Sequence, residues 1–153
     1  MSLHIERVLL LTKVPLFAYL RTDQLSRVAP LLEPVAWPKG TRIFDMGDIG
    51  LEFYIITDGR IGISVDPDPN RLVFINELKA GDSLGEMALI DNEPRSATAH
   101  ALDDTQALAL EKEKLHGLLI SYPELSIGML RALSQRLRAL SFKLKNSNSS
   151  YNR

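Results

Sequence analysis

The sequence predicts a mainly β domain flanked by helices, and three observations carry that reading. Apolar residues recur at helical spacing up to residue 32. Short alternating runs, separated by glycine and proline turns, then fill residues 33–111, the pattern of a β sandwich or barrel. From residue 112 to residue 145 helical spacing returns. The divisions are therefore an N-terminal helical segment (1–32), a β zone (33–111), C-terminal helices (112–145) and a disordered tail (146–153) rich in serine and asparagine.

Each element has its own signal. Val8, Leu9 and Leu11 suggest a short first helix that Pro15 breaks, and Thr22 or Asp23 caps a second helix carrying Leu25, Val28, Ala29 and Leu32. In the β zone Asp58-Gly59 reads as a hairpin turn, since glycine tolerates the positive φ such turns demand. After it Ile61, Ile63 and Val65 alternate with Arg60, Gly62 and Ser64, as in a half-buried strand. The Asp-Pro-Asp-Pro-Asn run at 66–70 is a loop, and residues 72–78, 96–102 and 105–110 read as further strands. Residues 86–90 lack alternation and contain good helix formers, so one or two helical turns are expected between strands. Gly40, Gly47, Gly59 and Gly81 are assigned to turns. Pro123 splits the C-terminal zone into a short helix and a longer one, with Leu130, Leu133, Leu137, Leu140 and Leu144 at three- and four-residue steps.

Composition narrows the function. A chain of 153 residues, 45% hydrophobic and 24% charged, suits one ordinary globular domain. A formal net charge of -1 offers no broad cationic face, so no nucleic-acid partner is expected and any anion site must be local. The chain has no cysteine, which excludes disulfides, thiolate metal sites and cysteine nucleophiles. The longest apolar run, residues 8–11, is far too short for a membrane span, no leader pattern precedes it, and a cytoplasmic setting is expected, with the cytosolic domain of a larger membrane protein as the alternative. Residues 1–3 are given no function.

Residues 81–99 read Gly-Asp-Ser-Leu-Gly-Glu-Met-Ala-Leu-Ile-Asp-Asn-Glu-Pro-Arg-Ser-Ala-Thr-Ala. A carboxylate that accepts a sugar hydroxyl and a guanidinium fork that grips a phosphate suit a small anionic nucleotide. The stretch resembles the phosphate-binding cassette of cyclic nucleotide-binding domains, whose pattern is Phe-Gly-Glu-(Leu/Met)-Ala-Leu, a short spacer, then Pro-Arg-x-Ala-Thr. Gly85, Glu86, Met87, Ala88, Leu89, Pro94, Arg95, Ala97 and Thr98 fall on that pattern; Leu84 replaces the usual aromatic. Val14-Pro15-Leu16-Phe17 and Pro38-Lys39-Gly40-Thr41 extend the resemblance over nearly the whole chain.

The resemblance implies a double-stranded β-helix, a β-roll of jelly-roll type, with N-terminal helices and two C-terminal helices, and no catalysis. It implies that Arg95 and Ser96 hold a cyclic phosphate, that Glu86 accepts the ribose 2′-hydroxyl, and that Gly85 with the amides of Glu86, Met87 and Ala88 surrounds the anion. Ala97 joins the ligand set by its place in the pattern. Arg131, Ser134, Gln135 and Arg138 are the lid candidates facing the base. Serine at 96, where guanine-selective relatives often carry threonine, favours cyclic AMP (cAMP) over cyclic GMP. By the same resemblance the ligand draws residues 86–90 inward, Met87, Leu89 and Ile90 repack against Leu118, Leu119 and the last helix, and that helix carries the signal to an unidentified effector.

Other readings stand beside these. Arg95 can instead form a surface ion pair with Glu93 or Asp91, and Glu86 can serve as an acid at a helix start. The leucine series spans barely two heptads, and Arg136 and Lys143 find only Ser134 and Ser141 opposite; lid and core packing is favoured, with a homodimer as the alternative. A cupin-like metalloenzyme needs clustered ligands, whereas His4, His100 and His116 fall on three elements without ligand spacing. A transcription regulator needs a helix-turn-helix after the long helix. A ligand-independent interaction module of the same fold is the remaining alternative.

Overall fold

Strand alternation is resolved by two apolar faces rather than one. The computed structural model describes residues 3–68 and 70–151. Its strands are β1 (Glu33–Trp37), β2 (Arg42–Phe44), β3 (Glu52–Asp58), β4 (Arg60–Ser64), β5 (Asn76–Lys79), β6 (Ser83–Leu84), β7 (Thr98–Ala101) and β8 (Thr105–Glu111). They form two antiparallel four-stranded sheets, ordered β1-β8-β3-β6 and β2-β7-β4-β5, a roll of jelly-roll type. On β3, Tyr54 and Ile56 point into the roll with Ile61, Leu84 and Ala99, while Phe53 and Ile55 point out under the helices. The outer cluster is the larger. It joins Phe53, Ile55 and Leu110 to Leu11, Leu16, Phe17, Leu25, Leu115 and Leu125, each such burial being worth roughly 1.5–3 kcal/mol.

The helices are α1 (Leu3–Thr12), α2 (Thr22–Val28), α3 (Lys112–Ser121) and α4 (Glu124–Tyr151). Pro15 opens a 3-10 turn, Pro15–Phe17, between the first two. The cap of α2 is Arg21, not Thr22 or Asp23: its backbone N–H donates to Gln24 Oε1 at 2.9 Å, while Asp23 turns out to the Arg21 guanidinium.

Three further expectations change. Asp58-Gly59 is not a hairpin turn, because β3 and β4 lie in different sheets; the turn carries the chain from one sheet to the other. Glycine is needed there because a Cβ would stand 2.6 Å from the Asp104 carbonyl. The strand expected over 72–78 begins only at Asn76, since Phe74 lies across Gly62 of β4, where a Cβ would meet its ring at 2.7 Å. Residues 146–151 are helical, not a tail: neither proline nor glycine follows Gly128, and serine and asparagine weaken a helix without ending it. Residues 152–153, Pro69 of the expected loop and Met1-Ser2 lie outside the described residues.

Of the leucine series only Leu133 packs against the core. Leu130 and Leu137 are 64% and 66% exposed, Leu140 and Leu144 are exposed as well, and Leu133 alone among them is half-buried. The inward face of α4 is set instead by Leu125, Met129 and Ala132, and residues 137–148 are exposed. Among the described residues no helix is long and apolar enough to cross a membrane.

Candidate ligand-binding site

The cassette begins where β6 pairs with Tyr54 and Ile55 of β3. Gly85 follows at φ 80, a left-handed conformation that glycine adopts without steric cost, and starts a single 3-10 turn, Glu86–Leu89. Leu89 anchors this turn: it is wholly buried in the outer cluster, with Leu115 and the half-buried Leu118, Leu119 and Leu133. The turn is further tied to α3. His116 Nε2 lies 2.7 Å from the Leu89 carbonyl, and Lys112 Nζ bonds the Asp91 carbonyl and, at 2.5 Å, Asn92 Oδ1. Neither tie has a local sequence signal, because both join residues more than a loop apart.

Arg95 is fixed at backbone and side chain. Its N–H donates to the Asp48 carbonyl at 2.7 Å, and its own carbonyl accepts from Gly47 N–H at 2.8 Å. The guanidinium carbon lies 4.2 Å from the centre of the Phe44 ring, and Nη2 donates to the Glu52 carbonyl at 2.6 Å. Nη1 is buried and has no hydrogen-bond partner among the described residues. Burial pushes the Arg95 guanidinium below its ordinary value, which nearby Tyr54, Glu52 and Asp48 offset in part. No surface ion pair to Glu93 or Asp91 forms among the described residues.

Two glycines make room for this side chain. A Cβ at Gly85 would fall 2.2 Å from Arg95 Nη1, and one at Gly50 would fall 2.9 Å from Arg95 Nε and from the Ala88 Cβ. Gly50 is missed by sequence reasoning, since only the fold brings it to the arginine.

The resulting cavity holds about 560 Å³ and is lined by Pro15, residues 83–88, Asp91 and residues 93–96. Gly85, Glu86, Met87, Ala88, Arg95 and Ser96 are thus brought together, and Ala97 lies outside the lining. Ser96 is exposed at the mouth. The Ala88 N–H already donates to the Gly85 carbonyl at 3.0 Å and is not free for an anion. Met87 and Ile90 remain 39% and 37% exposed, so of the expected apolar trio only Leu89 is packed.

Glu86 lies at the wall with both oxygens engaged. Oε1 is 2.5 Å from Arg136 Nη2, and Oε2 accepts from the Leu16 backbone N–H at 3.2 Å. Arg136 Nη1 also lies 3.3 Å from Met87 Sδ. The four lid candidates are elsewhere. Arg131 faces the Tyr19 ring at 5.9 Å, Ser134 and Arg138 line a shallow groove with Leu137 and Phe142, and Gln135 is exposed. Arg136 meets the cassette instead because it continues the inward stripe Leu125, Met129, Ala132 at helical steps. That stripe was the available signal.

His100 lies apart from the cavity, buried on β7 with its ring 5.7 Å from Phe74. Among the described residues no group of three His, Cys, Asp or Glu side chains is placed to hold a metal ion.

Known proteins share the sequence pattern and the fold of this chain. The family profile described as the cyclic nucleotide-binding domain matches residues 34–122. A CRP-like cAMP-activated global transcriptional regulator of Mycobacterium tuberculosis is 26% identical over 129 residues, 84% of this chain and 58% of that protein. A cyclic nucleotide-gated potassium channel of Rhizobium etli is 34% identical over 76% of this chain and 31% of its own length. Among solved structures, the N-terminal domain of a transcriptional regulator from Streptomyces coelicolor superposes with a TM-score of 0.77 at 32% identity, covering 86% of this chain and 94% of that one. The chain therefore spans less than two thirds of both full-length relatives.

Proposed function

The chain belongs to the cyclic nucleotide-binding domain family, and we propose that it is a regulatory sensor that binds cAMP and transmits binding through α4. One observation carries the reading: Arg95 lines the cavity, and its Nη1 is buried with no hydrogen-bond partner among the described residues. A guanidinium held this way is a costly arrangement in the free chain and a favourable one once an anion supplies the missing acceptor. A cyclic phosphodiester fits, with its single charge shared over two exocyclic oxygens. Glu86, across the cavity wall, supplies the acceptor that a ribose hydroxyl needs. Serine at 96 and the mycobacterial relative named for its activation by cAMP support adenine over guanine.

Transmission follows from the packing. Leu89 sits in the same apolar cluster as Leu115, Leu125 and Met129, so a shift of the Glu86–Leu89 turn displaces side chains on α3 and α4. A nucleotide moves α4 only as far as it binds one arrangement of this cluster better than another. Binding of cAMP to the Arg95→Ala and Arg95→Lys variants tests the reading. Alanine is expected to weaken binding by about 10² to 10³, and lysine, which keeps the charge without the fork, by a smaller factor. Unchanged affinity in Arg95→Ala would remove the phosphate site from this cavity.

A further inference from the structure

The β2-β7-β4-β5 sheet carries a row of register partners across three strands: Arg42, His100 and Gly62. The side-chain period of two puts them on the face turned away from Ile61 and Ala99, which fill the roll. At Gly62 the missing side chain leaves room for Phe74, whose ring makes an edge contact with the His100 imidazole, 5.7 Å between centres. Over this row lies a second cavity of about 470 Å³, a size that suits a small molecule. It shares no lining residue with the cassette cavity, and Lys39, Asn70 and Leu72 belong to its lining as well.

His100 is only 7% exposed, yet its ring has no hydrogen-bond partner among the described residues, a costly state for a buried imidazole. Burial and the Arg42 charge favour its neutral form, which carries one N–H donor. The lining holds two cations, Lys39 and Arg42, and no carboxylate. Arg42 is held in place by Asn70 Oδ1 at 3.1 Å and by Asp45 at 3.3 Å. Lys39 forms no ion pair among the described residues. Leu72, 63% exposed, and the half-buried Phe74 supply an apolar strip beside these cations. We propose that this cavity is a ligand site separate from the nucleotide cavity, and that it takes a small organic acid: one carboxylate on a flat apolar body. The carboxylate accepts from the Lys39 ammonium and the His100 N–H, the Arg42 charge adds to the attraction, and the flat body lies on Phe74 and Leu72. A neutral ring compound gains nothing from the two cations, and a bare inorganic ion gains nothing from the apolar strip.

The test titrates 2-naphthoate, its neutral counterpart 2-naphthamide, and acetate into the isotope-labelled chain at neutral pH, followed by the backbone amide signals in NMR. 2-Naphthoate is expected to bind with a Kd of about 1 mM or tighter, the range for a ligand of its size, and to shift the amides of residues 70–74 and 100–102. The amides of residues 85–88 and 95–96 should hold still. Acetate and 2-naphthamide are expected to bind at least about tenfold more weakly, each lacking one half of the recognition. Lys39→Ala, at an exposed position, should weaken 2-naphthoate about three- to fivefold and leave 2-naphthamide unchanged. His100→Leu should weaken 2-naphthoate by about tenfold or more. Arg95→Ala should bind 2-naphthoate as the unaltered chain does, so this site and the nucleotide site stand or fall separately. Shifts confined to the cassette, equal binding of 2-naphthamide or acetate, or no saturating shift by about 5 mM overturns the proposal. If His100→Leu does not fold, Lys39→Ala decides: undiminished binding of 2-naphthoate there overturns it too.

Discussion

Arg95 Nη1 occupies the space that a side chain at position 85 would need: a Cβ there would stand 2.2 Å from it. The glycine and the arginine, ten residues apart in the cassette, are therefore one device. The bare backbone at 85 admits the guanidinium, whose Nη1 is left buried without a hydrogen-bond partner among the described residues.

Substitution at position 85 tests this sharing of space. Gly85→Ala is expected to cost about 1 kcal/mol or more of stability from its left-handed φ of 80, and to displace the guanidinium. Nucleotide affinity should fall by more than about tenfold, the size of one lost charged hydrogen bond. Gly81→Ala is the control: its φ of 93 is equally strained, but the nearest atom to a Cβ there is Lys13 Nζ at 3.6 Å. Melting and titration of both variants should show a stability loss at 85 at least as large as that at 81, and a far larger loss of affinity at 85. Matching affinity losses would mean that the close approach has no bearing on the site.

The apolar residues of the cassette turn should separate in the same way. Leu89 is wholly buried and Met87 is 39% exposed. Leu89→Ala is expected to cost about 2–5 kcal/mol in denaturant unfolding, as for other leucines removed from a packed core. Met87→Ala should cost under about 1 kcal/mol. A small loss at Leu89 would show that the turn is not the link between cavity and helices.

What the sequence revealed and what it hid follow from chain separation. The turn glycine, the acid and the arginine of the cassette are contiguous, so their chemistry is legible in one short string. The partners that tune them are not. Gly50, Glu52 and Phe44 reach Arg95 through the pairing of strands, and Leu16 and Arg136 reach Glu86 from opposite ends of the chain. The order of helices, strands and helices was legible from periodicity. The Asp58-Gly59 turn was misread because glycine marks the turn without saying which sheet the next strand joins. On α4 the eye follows the leucines, yet the buried stripe uses Met129 and Ala132, small or flexible residues that fit beneath a helix and carry little hydropathy signal.

His100 gives the fold a pH dependence with a definite sign. Burial and the nearby Arg42 charge hold its imidazole below the ordinary value of 6.5, with Asp45 opposing. The unfolded chain then takes up the proton first as the pH falls. Its contribution to stability is thus fully present above pH 6.5 and is lost as the solution is acidified below that point. Between about pH 7.5 and about pH 5.5 the unaltered chain should lose more stability than His100→Gln, measured by urea unfolding. Parallel losses in the two proteins would show that His100 titrates freely.

On the proposed function, the buried Arg95 guanidinium and the Glu86 carboxylate together select a ribose cyclic monophosphate. Thermal melting of nucleotide-free protein with cAMP, cyclic GMP and 5′-AMP in parallel tests it most directly. At a hundredfold excess over Kd, binding to the native state adds about 2.7 kcal/mol, on the order of 5–10 °C for a chain of this size. The largest rise is expected with cAMP, a smaller one with cyclic GMP and almost none with 5′-AMP. No rise with either cyclic nucleotide, or an equal rise with 5′-AMP, would contradict it.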